Sequence, residues 1–139
     1  MKAIKLTVDW NADPNAPELN LSVNSSNVVL DFFVNYFKFE QFKENDKARI
    51  IFKNCHKYSL SSINDEGYFS GQHRYKYTDL PFGEFYQLDT NWQIDFPGEY
   101  SLLSSIGDAG NLHHYIFLFK ENVFECVAES YSVEFYSEL

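Results

Sequence analysis

The alternation of apolar and polar residues is strongest near the C-terminal end of the chain, over residues 112–136, LHHYIFLFKENVFECVAESYSVEFY. Two alternating runs flank the polar pair Glu121-Asn122, and Asn tolerates the left-handed backbone of a tight turn, so the pattern predicts a β-hairpin closed over that pair. In that register Phe119 faces Phe124, Phe117 faces Cys126 and Tyr115 faces Ala128. Side chains in a strand alternate with period two, so these six share one face. The opposite face carries Ile116, Leu118 and Val127 together with His114, Glu125 and Glu129. Such a mixed face points to cover by another layer, a partner or a second copy of the chain. Beyond Ser130 the apolar parity moves to Tyr131, Val133 and Phe135, which predicts a bulge or a strand that changes sheets.

Residues 2–10 alternate in the same way, with Ile4, Leu6, Val8 and Trp10 expected inward. Residues 11–18, NADPNAPE, read as a loop. Residues 19–23 and 28–34 form two further alternating runs around the turn 24–27, a second predicted hairpin, with Val28, Leu30, Phe32 and Val34 inward. Residues 36–42 fit either a strand or a short helical turn. Residues 48–53 read as a strand with Ala48, Ile50 and Phe52 on one side, and residues 58–63 as another, separate one. The pattern loosens over 68–100, where short strands around Tyr75–Tyr77 and over 84–89 are interrupted by Pro81, Gly83, Pro97 and Gly98. Residues 100–106 fit a strand or one helical turn. Many short strands with turns between them predict an all-β fold: an antiparallel β-sandwich or partly open barrel, with at most one or two short helical turns.

Composition sharpens this picture. A chain of 139 residues fits a single domain spanning 1–139 that buries about two thirds of its unfolded surface. Aromatic residues make up 19% of it, a composition β-rich domains favour. The formal charge of -9 argues against nucleic-acid binding, which depends on neutralising phosphates, and favours a basic protein partner. No run approaches the roughly 18 apolar residues of a membrane span, and the first residues lack the apolar core of a signal peptide, so a cytoplasmic location without membrane contact is expected. Cys55 and Cys126 form no CxxC pattern and read as reduced, buried thiols.

Candidate chemistry is sparse. Adjacent Cys55 and His56 point to opposite faces if extended, so a buried Cys with an exposed His is expected rather than an activated thiol. His113 and His114 fail as a chelating pair for the same reason, and in the predicted register His114 makes a surface contact with Glu129. The four histidines lack metal-ligand spacing. Residues 9–15 alternate oxygen-bearing side chains as calcium loops do, but Pro14 replaces the required Gly and Glu18 comes too early to close the site. No metal or cofactor is expected. Glu84, Asp89 and Asp95 lie near Phe85, Tyr86 and Trp92, an aromatic platform beside acids such as a sugar site uses, although core aromatics with solvated acids are the favoured reading. The run 71–77 interleaves basic and aromatic residues as single-strand binders do, but it is one short patch in an acidic chain. No phosphate loop, nucleophile elbow or other catalytic signature is present, so no enzymatic activity is expected.

The segments WNADPNAPE and LHHYIFLFKENVFECVAE resemble stretches of small bacterial proteins of unknown function, a likeness that implies a bacterial, intracellular setting and transfers no active residue. In size and charge the chain is similar to bacterial immunity proteins, which neutralise a cognate toxin. Two functions follow as expectations. The first is a non-catalytic protein-interaction module, an immunity-type inhibitor of a basic partner or a self-associating domain, contacting through Ile116, Leu118 and Val127. The second is a carbohydrate- or small-ligand-binding domain using exposed Tyr75, Tyr77, Tyr86 and Trp92.

Overall fold

The computed structural model describes residues 2–62, 80–105 and 109–137. Eight strands form one antiparallel sheet: β1 (Lys2–Lys5), β2 (Asn20–Asn24), β3 (Asn27–Phe33), β4 (Asp46–Ser61), β5 (Phe85–Asp89), β6 (Ser101–Leu102), β7 (His113–Leu118) and β8 (Val123–Ser137). The order is β1-β5-β7-β8-β4-β3-β2, with β6 paired to β4 off this path. The all-β expectation therefore holds, in the form of an open sheet that does not close into a barrel.

The sheet is nevertheless strongly curled. Strands β7 and β3 stand three steps apart, about 14 Å on a flat sheet. Yet the rings of Phe117 and Phe32 meet with centroids 5.0 Å apart, and Phe85 of β5 lies 5.7 Å from Phe52 of β4. Residues 11–13 stitch the two ends of the curl together. Ala12 donates its N–H to the carbonyl of Gly83 at 3.0 Å, and Asp13 donates to Phe33 at 3.0 Å. Gly83 sits at φ +85, a left-handed conformation that favours glycine, and donates its own N–H to Leu118. Inside the curl lies the aromatic core: Trp10, Phe32, Phe52, Phe85, Phe117, Phe119 and Phe124, with Val28, Leu30, Val34, Ala48 and Ile50.

The β7–β8 hairpin keeps the predicted faces but not the predicted turn. Leu118 faces Val123 and Phe117 faces Phe124, so the loop is residues 119–122, closed by a bond from the Phe119 N–H to the Asn122 carbonyl. The register slides by two, and an even slide leaves every side chain on its own face. Phe117, Phe119, Phe124, Cys126 and Ala128 all enter the aromatic core. The β2–β3 hairpin forms as expected, turning through Ser25 at φ 58.

Two expectations are corrected and one open alternative is decided. Residues 2–10 are not one strand: β1 ends at Lys5, Asp9 turns at φ 62, and Ile4 and Val8 are 53% and 69% exposed. Among the described residues β1 stands at the edge of the sheet, with no second strand beside it to cover Ile4. The predicted strands over 48–53 and 58–63 are joined in a single strand, β4, which ends at Ser61; residue 63 lies outside the described residues. Its inward parity changes from Phe52 to Cys55 at Asn54 (φ 51), and β8 changes from Tyr131 to Ala128 at the same level, which explains the shift seen after Ser130. A second irregularity, at His56, lies between Cys55 and Lys57. Of the two readings of residues 36–42, strand or short helical turn, the structure shows turns.

Candidate functional site

The residues singled out as a contact surface lie mostly inside. Ile116 and Leu118 are fully buried, packed with Tyr86, Leu88 and Val123 and covered by Ala3, Leu80 and Phe82. Val127 is fully buried as well. The second face of the hairpin is thus packed against the chain's own residues, one of the covers the pattern allowed, and Ile116, Leu118 and Val127 are not exposed in the isolated chain. Tyr86 and Trp92 are 4% and 8% exposed, so they do not form an exposed platform; Tyr75 and Tyr77 lie outside the described residues.

The same outer face holds a polar cluster that the sequence pattern did not announce. His114 is not at the surface beside Glu129. Its Nε2 lies 2.8 Å from Oε1 of Glu125, with both side chains almost wholly buried. Strand periodicity is the cause: His114 shares the parity of Ile116 and Leu118, and Glu125 that of Val123 and Val127. On the other side of the ring, Nδ1 lies 2.5 Å from the hydroxyl of Thr90. A carboxylate only accepts, so the Nε2 proton belongs to the Glu125 bond, and in the neutral imidazole Nδ1 accepts from Thr90. Thr90, partly exposed, opens on a depression of about 360 Å³ lined also by Lys2, Ile4, Gln87, Asp89, Trp92 and His113.

Residues 90–104 cross this face as a strap. Lys57, buried beneath it, donates from Nζ to the Trp92 carbonyl at 3.3 Å. Its ammonium lies 4.5 Å from the Phe96 ring centre, 4.8 Å from Tyr100 and 5.5 Å from Trp92. The rings attract the cation while excluding water, and burial pushes the Lys57 pKa down. His56 is buried too, not exposed as expected. The irregularity in β4 turns it under the strap, where Nδ1 meets the Ser104 carbonyl at 2.5 Å and the ring packs on Trp92. Cys55 points into the aromatic core beside Cys126, whose thiol is pushed up by burial first and then by Cys55. Thiol and imidazole are therefore separated, as the alternation implied.

A buried carboxylate anchors the end of β1. Glu84 accepts from the Thr7 hydroxyl and from the Asn11 amide at 2.7 Å, with Lys5 at 3.8 Å. It is structural wiring rather than half of a carboxylate pair at a sugar site. In the segment considered for calcium, Asp13 instead accepts the N–H groups of Asn15 and Ala16, an ordinary turn. Among the described residues no three His, Cys, Asp or Glu side chains converge as metal ligands, and no helix is long and apolar enough to cross a membrane.

The acidic charge has its own focus. Asp13, Glu18 and Glu44 line a depression of about 270 Å³ with Tyr36, Phe33 and Val34. The Tyr36 phenol is pushed up there, first by desolvation and then by Glu44 and Asp13. The Tyr36 ring stacks at 4.2 Å on Phe37, which is 71% exposed. A further open depression, of mixed polar and apolar lining, lies between Leu21, Tyr58, Leu60, Glu99 and Tyr100. Compared with protein-family models, curated proteins and solved structures, the chain matches none.

Proposed function

We propose that this chain is a protein-interaction module that docks a basic partner protein, in the manner of an immunity-type inhibitor. The observation that carries the reading is the acid-lined depression of Asp13, Glu18 and Glu44 beside exposed Phe37. A lysine or arginine side chain placed there gains charge complementarity from three carboxylates, while its aliphatic stem covers Phe37. The formal charge of -9 steers a basic partner over a longer range, an attraction that salt screens. The second hairpin face takes no part, because it is already packed. The carbohydrate reading draws little from Tyr86 and Trp92, both buried.

The reading is tested with an arginine-rich peptide titrated against the isotopically labelled protein at low salt. Saturable shifts centred on Tyr36 and Phe37, lost in the Glu18→Lys/Glu44→Lys double variant and retained in Glu121→Lys/Glu129→Lys, are expected. Shifts spread evenly over the acidic surface, or insensitive to the double variant, would remove its basis.

A further inference from the structure

A second site, built from other segments and independent of the acidic depression, has the parts of an acyl-transfer centre. The geometry points to Thr90, His114 and Glu125 as a nucleophile, base and carboxylate that hydrolyse small esters in the depression between β1, β5 and β7. Three features carry this. The Thr90 hydroxyl lies 2.5 Å from His114 Nδ1, within reach for proton transfer. The 2.8 Å bond to Glu125 fixes the ring and its tautomer, and stabilises the imidazolium when it forms. Thr90 is the partly exposed end of this chain of bonds, and it faces a cavity of about 360 Å³ rather than a sealed core. These residues lie far apart in sequence, which is why no motif announced them.

The chemistry balances without any further reactant than water. Thr90 Oγ adds to the ester carbonyl carbon as its proton passes to His114 Nδ1. Lys2, across the β1–β5 pair from Asp89, lines the same cavity and is the cation at hand for the oxyanion. The tetrahedral adduct collapses, the bond to the alcohol oxygen breaks, and the imidazolium returns its proton to the departing alkoxide. Water, losing a proton to His114, then adds to the acyl-Thr90 carbonyl; the bond to Thr90 Oγ breaks, the imidazolium returns its proton to that oxygen, and a carboxylic acid leaves. A threonine carries a methyl group beside its oxygen. With that crowding and a single cation for the oxyanion, small activated esters are the fitting substrates, rather than amides. Ile4, Leu88 and Leu112 offer the acyl group an apolar wall. Glu125 touches no substrate and is a positioning residue.

The test uses the full chain with p-nitrophenyl acetate and butyrate, and a fluorophosphonate probe followed by peptide mapping. Turnover is expected to fall at least tenfold in Thr90→Ala, to persist in Thr90→Ser, and to lose kcat but not KM in Glu125→Gln. The probe is expected on Thr90. Imidazoles open to solvent hydrolyse such esters slowly without any site, and His113, partly exposed in the same cavity lining, is one candidate for such a background. A Thr90→Ala rate equal to wild type, or a probe adduct on any other residue or on none, overturns the assignment. Thr90→Ser, which keeps the hydroxyl and its hydrogen bond, separates lost chemistry from lost folding.

Discussion

The two faces of the curled sheet are held in different ways. Inside the curl, Phe32, Phe52, Phe85, Phe117, Phe119 and Phe124 interlock with almost no polar group among them. Outside, beneath the strap, His56, Lys57, His114 and Glu125 are buried and each is met by a specific partner. Hydrophobic burial is non-directional and scales with area, so the inner face asks for apolar volume on the right side of the sheet rather than for particular polar partners. A buried polar group is stabilising only when its hydrogen bonds are made, so the outer face demands particular residues at particular places. Stability is concentrated in the first, and candidate chemistry in the second.

The largest effect expected follows from breaking the inner face. Phe32 is fully buried and touches Trp10, Phe117 and Phe119. Phe32→Ala is expected to cost about 3–5 kcal/mol in urea unfolding, a large share of the stability of a domain this size. Breaking the outer face costs less. Glu125→Ala leaves the His114 N–H buried without its carboxylate, an expected loss of about 1–3 kcal/mol in the same measurement. If Glu125→Ala proved as costly as Phe32→Ala, the division between the two faces would not stand.

Alkaline pH sharpens the contrast because the faces respond with opposite sign. Tyr115 lies in the aromatic core and burial pushes its pKa up to about 12. The unfolded phenol ionises near 10 while the folded one holds its proton, so stability from this group is complete below pH 10 and lost as pH rises toward 12. Lys57, under the strap, has its pKa lowered by burial from 10.5. There the unfolded state binds the proton more tightly, so the buried ammonium costs stability at neutral pH. That cost is relieved as pH rises from the lowered value to 10.5. Melting temperatures between pH 8 and 11 for wild type and Lys57→Met are the measurement. Wild type is expected to hold level or rise before it falls, and Lys57→Met to show only the fall.

The same division explains what was legible in the sequence. The hairpin faces were legible because six side chains must share one side, and sliding the turn from Glu121-Asn122 to residues 119–122 leaves that unchanged. The length of β4 was hidden, because its inward residues change parity at Asn54 and again at His56, and each change reads as a strand end. Ile4 and Val8 looked inward by alternation alone, which carries no information about whether a strand lies at an edge. His114 and Glu125 did carry a signal: two polar residues at the parity of Ile116, Leu118 and Val127. Taking that face as half-exposed disguised them as surface groups. Thr90, supplied by an irregular segment, had no periodicity to betray it.

The smallest effect tests whether the strap behaves as a separate, more weakly held layer. Ser104 donates its hydroxyl to the Cys55 carbonyl at 3.0 Å, while its own backbone carbonyl receives His56. Ser104→Ala removes only the first of these, because the second belongs to the main chain, as does the bond from the Leu103 N–H to the His56 carbonyl. An ordinary hydrogen bond contributes about 0.5–1.5 kcal/mol, so strap amides at Leu103 and Ser104 are expected to exchange with solvent roughly three- to tenfold faster. Amides of Phe117 and Phe124, in the aromatic hairpin, are expected to keep their wild-type rates apart from a small global loss. Equal acceleration at all four amides means that strap and core open together, and that the polar outer face has no independent motion to offer a ligand.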